Sequence, residues 1–132
     1  MSSKPYRVLI TGSRDWTDIT TIGAAIEQAV IDAGPRPVIV VHGACPLGAD
    51  QHADRYARWM RSKGTSIDIE RHPANWRPNG VFDRAAGPRR NAEMVALGAD
   101  VCLAFIRNGS RGASHTAALA EQAGIETRRY TA

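Results

Sequence analysis

The sequence predicts an α/β fold: one domain over residues 1–132, a three-layer sandwich built on a mostly parallel sheet of about five strands. Two observations predict it. Short β-branched runs alternate with helical patterns along the chain, with no internal repeat and no low-complexity linker. The run "VIVV", Val38 to Val41, also lacks polar alternation, so both of its faces are buried, as in a parallel sheet covered by helices.

Each element has its own local reason. "RVLIT", Arg7 to Thr11, reads as a buried strand. Ile22, Ala25, Ile26, Ala29 and Val30 recur at helical spacing, and Gly34-Pro35 stops that helix. After the second strand, Ala53, Tyr56, Ala57 and Met60 mark the inner face of a second helix, which Gly64 ends. "SIDIER", Ser66 to Arg71, alternates and reads as a strand nearer an edge. "HPANWRPNGVFDRAAG" is a long loop, and a helix follows from about Pro88, with proline favoured at the first position. "DVCLAFI", Asp100 to Ile106, is the fourth strand. Ser114 to Ala123 is an alanine-rich helix ended by Gly124, and "IETRRYT" closes the chain as the fifth strand.

Composition bounds the function classes. The 132 residues are 43% hydrophobic and 23% charged, ordinary values for a globular protein with a real core. No apolar run approaches the roughly 20 residues that cross a bilayer. The first residues run straight into a strand pattern, so neither a signal peptide nor a membrane partner is expected and the expected location is cytoplasmic. Cys45 and Cys102 fit no Cys-x-x-Cys pattern and read as free thiols, Cys102 in the core and Cys45 in a loop. The net charge of +4 favours anionic partners, but it forms no block or stripe that indicates nucleic acid. His42, His72 and His115 show no metal spacing, and no metal is expected.

In such a fold the loops that follow strands share one rim, at the carboxyl ends of the strands where ligands bind. Four loops lie there: "TGSRDW" from Thr11, "HGACPLGAD" from His42, "HPANW" from His72 and "RNGSRGASHT" from Arg107. Three carry glycine and open into a helix, and free N–H groups at a helix start bind anions. "GxxxxGAD", Gly43 and Gly48 to Asp50, is not a P-loop, and the first loop lacks a dinucleotide fingerprint. Trp16 and Trp76 either stack on a nucleobase or anchor the loops. Asp15 and Asp50 suit ribose hydroxyls, and Asp50 alternatively caps the second helix.

"GPRRNAEM", Gly87 to Met94, places Arg89 and Arg90 near a helix start, which already carries partial positive charge. Arg90 either pairs with Glu93 or meets a ligand, and Arg89 is either solvated or does the same. An anionic ligand clamped by Arg14, Arg89, Arg90 and Arg111 accounts for the arrangement, since a guanidinium binds phosphate bidentately.

"RVLITGSRDW", "VVHGACPLGADQHADRYA", "HPANW", "RRNAEM" and "GSRGASHTAALAEQAGI" follow one another in an order that resembles the YspA-like branch of the SLOG superfamily, over about Arg7 to Tyr130. The resemblance implies a Rossmann-like sheet and a nucleotide or nucleotide-derived ligand, in a sensor or nucleotide-processing domain of the kind met in phages and conflict systems. On the reading these loops and arginines support, Gly12, Ser13, Gly109, Ser110 and Gly112 approach a phosphate, Arg14, Arg90 and Arg111 neutralise it, Asp50 holds ribose, and Asn91 bonds ligand or supports the rim. No further cofactor is required. LOG phosphoribohydrolases of the superfamily carry a catalytic glutamate where this chain has Thr116, and threonine cannot serve as that base. Hydrolysis would then need Arg90 with Glu93, Asp50 or Asp15 as a substitute. Smf/DprA-like binding of single-stranded nucleic acid is the other alternative, and a homodimer is compatible with a domain of this size. Arg90→Ala is expected to weaken nucleotide binding with little loss of stability.

Overall fold

The computed structural model describes residues 4–132. Five strands and four helices alternate: β1 Tyr6–Gly12, α1 Ile19–Ala33, β2 Val38–His42, α2 Ala49–Ser62, β3 Ile67–Arg71, α3 Ala86–Ala96, β4 Val101–Ile106, α4 Arg111–Gln122 and β5 Glu126–Thr131. The sheet order is β3-β2-β1-β4-β5, and every pairing is parallel. The expected mostly parallel sheet is thus wholly parallel, and the fold is Rossmann-like. Its order reverses at β1. The chain steps outward to β2 and β3, crosses back through α3, and continues as β4 and β5 on the other side.

Alternation within the strands sorts the core into two layers. Val8 and Ile10 of β1 point toward α1 and α2, where Val40, Leu103 and Phe105 join Ile22, Ile26, Ala53 and Ala57. Leu9, between them, faces the opposite layer with Val41, Cys102, Met94, Val95 and Ala120. β4 is buried along its whole length. That is why its sequence shows no polar alternation. Its Cys102 is buried as expected, and burial pushes its thiol up to about 12.

Four strand starts, β1, β3, β4 and β5, lie one residue from the sequence expectation, and two helix starts differ by more. α3 begins at Ala86 rather than about Pro88, so Pro88 is the third helical residue. Proline is tolerated there because the N–H groups of a helix's first turn have no intrahelical partner. α4 begins at Arg111, three residues before Ser114, so "RGA" forms its first turn. In the long loop between β3 and α3, a short 3-10 turn spans Pro78–Gly80. Among the described residues no helix is long and apolar enough to cross a membrane.

Candidate ligand cavity at the carboxyl ends of the strands

One buried serine joins three parts of the rim. The Ser13 N–H donates to the Phe105 carbonyl at 2.8 Å, and its carbonyl accepts from Trp16 and Ala49 at 3.2 and 3.1 Å. Its Oγ accepts from the Arg107 N–H at 2.8 Å. Arg107 returns a bond from Nη1 to the Asp15 carbonyl at 3.0 Å. The β1 loop is therefore fixed to the end of β4 and to the start of α2. Trp16 supports it from below: it is 2% exposed, stands edge-on to Phe105 with centroids 5.5 Å apart, and donates its indole N–H to the Asp18 carbonyl. Trp16 is a packing anchor.

Above the β1–β4 junction lies a cavity of about 550 Å³. Its walls include Gly12, Ser13, Arg14, Asp15, Asp50, Arg90, Asn91, Ser110 and Gly112. The carboxyl ends of β1 and β4, where the strand order reverses, are where an open parallel sheet offers a crevice for a ligand. The volume falls within the roughly 300–1,000 Å³ typical of small-molecule sites.

Residues 6–78, more than half of the chain, match the YspA, cpYpsA-related SLOG family. The chain belongs to that family. It is also 46% identical, over 119 residues, to the Gene 61 protein of Mycobacterium phage D29, covering 90% of this chain and 91% of the phage protein. No solved structure matches. The part of this SLOG chain that matches the family supplies the end of β1, residues of the loops after β1 and β2, and Asp50 of α2 to the cavity, while α3, α4 and the loop before α4 complete its walls.

The glycines of this SLOG fold divide by what a side chain would meet. A Cβ on Gly12 would come 2.3 Å from the Ala49 Cβ, so this glycine lets α2 pack against β1. Gly48 has φ +75°, and a Cβ there would lie 2.3 Å from the Ser13 carbonyl oxygen, so two rim loops cross at that point. On Gly43 a Cβ would collide with the Arg90 guanidinium. Gly109 takes φ +61° in the turn beside Asn108, itself at φ 52°, and does not line the cavity. Gly112 is different. Its backbone is not left-handed, a Cβ there would meet nothing within 4 Å, and it lines the cavity at the second position of α4. No side chain caps α4, so the first-turn N–H groups beside Gly112 have no intrahelical or capping partner.

The two arginines of "GPRRNAEM" part company. Consecutive helical residues project about 100° apart, and only one faces the cavity. Arg89 is exposed, lies outside the cavity and pairs with Asp83, whose carboxyl the Arg89 hydrogen bond pulls down. The negative partner sought for it is thus the protein's own carboxylate. Arg90 turns inward. Its Nη1 donates to the carbonyls of Gly43 and, at 3.1 Å, His72, and its Nε donates to Asn91 Oδ1 at 2.7 Å. Among the described residues it makes no ion pair with Glu93, which is exposed and outside the cavity. Burial pulls the Arg90 guanidinium below its ordinary value, against the charge of Asp50. Because Arg90 holds two loops together, the expectation that Arg90→Ala costs little stability gives way to a structural role.

Asp50 is 7% exposed and does not cap α2, whose N-cap is Gly48. Its Oδ2 instead accepts from the N–H groups of Gly43 and Cys45 at 3.2 and 3.3 Å. Burial pushes its carboxyl up, opposed by those N–H groups and by Arg90. Thr116 is fully buried, bonds back to the Gly112 carbonyl at 2.9 Å and does not reach the cavity. Arg111 is exposed at the first position of α4, outside the cavity wall.

Sequence reasoning missed Arg107, Asn108, Cys45 and Met94 as wall residues. Arg107 and Asn108 stood in a loop already singled out. Met94 follows Arg90 by four residues and so shares its helix face. A second set of charges sits beneath the rim: Asp54 of α2 receives Arg71 at 2.7 Å, His42 at 2.7 Å and Arg58 at 2.8 Å. His42 Nδ1 accepts from the Ala44 N–H at 2.9 Å, so its Nε2–H donates to Asp54. Among the described residues no group of three or more His, Cys, Asp or Glu side chains could hold a metal ion.

Proposed function

We propose that the cavity binds a nucleotide or nucleotide-derived anion, and that the protein works as a ligand sensor or nucleotide-processing domain. The observation that carries this is the start of α4: an uncapped helix N-terminus, with Gly112 leaving open space, turned into the same cavity as Arg14 and Arg90. Unpaired N–H groups and the helix dipole favour a phosphate there, and family membership points the same way. Asp50 and Asp15, which also line the cavity, suit ribose hydroxyls.

Gly112→Ala tests the proposal without disturbing the fold. The added methyl meets no protein atom, and alanine favours a helix by up to about 1 kcal/mol over glycine. The variant is expected to melt at or above the wild-type temperature. A nucleotide at 100 times its dissociation constant adds about 2.7 kcal/mol to the stability of the wild type. Calorimetric melting of both proteins against nucleoside mono-, di- and cyclic phosphates should show that gain in the wild type and most of it lost in the variant. Equal gains in the two would remove the phosphate from α4.

A hydrolytic reading has one observation in its favour, a buried carboxyl at Asp50 on the cavity wall. Release of base from nucleoside monophosphates, abolished by Asp50→Asn, would establish it. No release would leave a binding domain.

A further inference from the structure

A second chamber of about 480 Å³ adjoins the cavity, and Arg14, Cys45 and Arg90 line both. Its character is different. Trp76, Phe82, Pro46, Leu47 and Pro73 form much of its wall. Trp76 and Phe82 are stacked, 7° from parallel with centroids 6.0 Å apart. The Arg14 guanidinium lies over Trp76 at 5.9 Å and that of Arg77 over Phe82 at 5.6 Å. The stack is seated by Gly87, where a Cβ would strike the Trp76 ring at 2.6 Å. Leu47 is 61% and Phe82 55% exposed, so two large apolar side chains of this one chamber are open to solvent.

Two guanidinium groups at the waist, with a chamber on each side, point to a ligand whose negative charge lies in its middle. Resting on the nucleotide reading above, we propose that the ligand is longer than a mononucleotide: two nucleoside-like halves joined through phosphate. The linker passes Arg14 and Arg90, and the second half places a flat ring against Trp76 and Leu47. Aromatic side chains accept any base by stacking, and a planar guanidinium over the ring adds to it. A mononucleotide would leave the aromatic chamber unfilled.

Titration calorimetry of the full chain with diadenosine and diguanosine diphosphate, set against ADP and GDP, tests this. The paired compounds share the phosphate count; the dinucleotide differs by its second half and by the one charge that esterification of the terminal phosphate removes, a loss that works against the expected gain. One of the dinucleotides is expected to bind about tenfold tighter than its mononucleotide, the gain that stacking gives per base. Trp76→Ala should cancel that gain and leave the mononucleotide unaffected. Leu47→Ala should reduce the gain in the same selective way, and its exposed position keeps the fold out of the comparison. Mononucleotide binding with no gain for either dinucleotide overturns the two-chamber ligand and leaves the nucleotide reading standing. Equal weakening of both ligand types by the two variants also overturns it. Binding by none of the four overturns both proposals.

Discussion

Arg90 spans the floor of the rim, from α3 to the carbonyls of Gly43 and His72. Its removal leaves two backbone acceptors without their charged donor and opens the space under Gly43. Hydrogen bonds from charged groups contribute about 1.5–3 kcal/mol each, so Arg90→Ala should lose about 3 kcal/mol or more in a urea titration and, on the proposed reading, weaken anion binding. Arg89→Ala, one residue away, removes only an exposed pair with Asp83 and should leave the urea midpoint unchanged. Equal losses in the two variants would show that Arg90 does not hold the loops. Identical residue types at adjacent positions thus have opposite roles. The sequence reading put both on one ligand, although consecutive helical residues project about 100° apart. Which one faced it was not legible, because that depended on where α3 begins.

At the scale of elements, Asp54 ties α2 to β2 through His42 and to β3 through Arg71. Burial raises its carboxyl, but the hydrogen bonds from Arg71 and His42 outweigh burial and bring it down to about 2. Glu70 of β3 is brought to about 2, chiefly by Arg7, with His72 adding to it. Both carboxylates therefore release their protons more readily in the folded chain than in the unfolded one, where they titrate at about 4. Their stabilisation is complete above that unfolded value and is lost as pH falls through about 2. Urea midpoints should accordingly fall between about pH 5 and pH 2, and Asp54→Asn should flatten part of that slope. An unaltered slope in the variant would mean that the Asp54 cluster does not couple to folding. The elements themselves were legible from the strand and helix periods. Their starts were less so. Pro88 suggested a first position, yet proline fits throughout a first turn, and "RGA" of α4 was hidden by a glycine that usually argues against a helix.

For the molecule as a whole, the sequence showed that four loops share a rim, since that follows from strand–helix alternation alone. It did not show why each glycine is there. Gly12, Gly43 and Gly48 make room for other parts of the chain, and those neighbours, in the examples of Ala49, Arg90 and Ser13, are 37, 47 and 35 residues away, with at least two elements between. Gly34, Gly64, Gly80, Gly98, Gly109 and Gly124 serve a positive φ, and Gly112 has neither a close neighbour nor a positive φ. The reversal of strand order between β1 and β4 likewise depended on α3 crossing back, a tertiary fact with no local mark.

Ser13 extends this to the way the rim moves. With its N–H on Phe105, its hydroxyl on Arg107 and its carbonyl on Ala49 and Trp16, one residue closes a circuit between the ends of two strands and the start of a helix. Opening any one loop breaks bonds in the others. Backbone amides of Ser13, Ala49 and Arg107 should then exchange with deuterium at a common rate, as members of one cooperative unit. Ser13→Ala removes the acceptor of the Arg107 amide and the longer Oγ donation to the Arg107 carbonyl at 3.4 Å, and the Arg107 amide should exchange faster while the other two remain slow. A rim built in this way would meet the proposed ligand already assembled, so little ordering entropy would be lost on association and the free and bound loops should differ little in exchange.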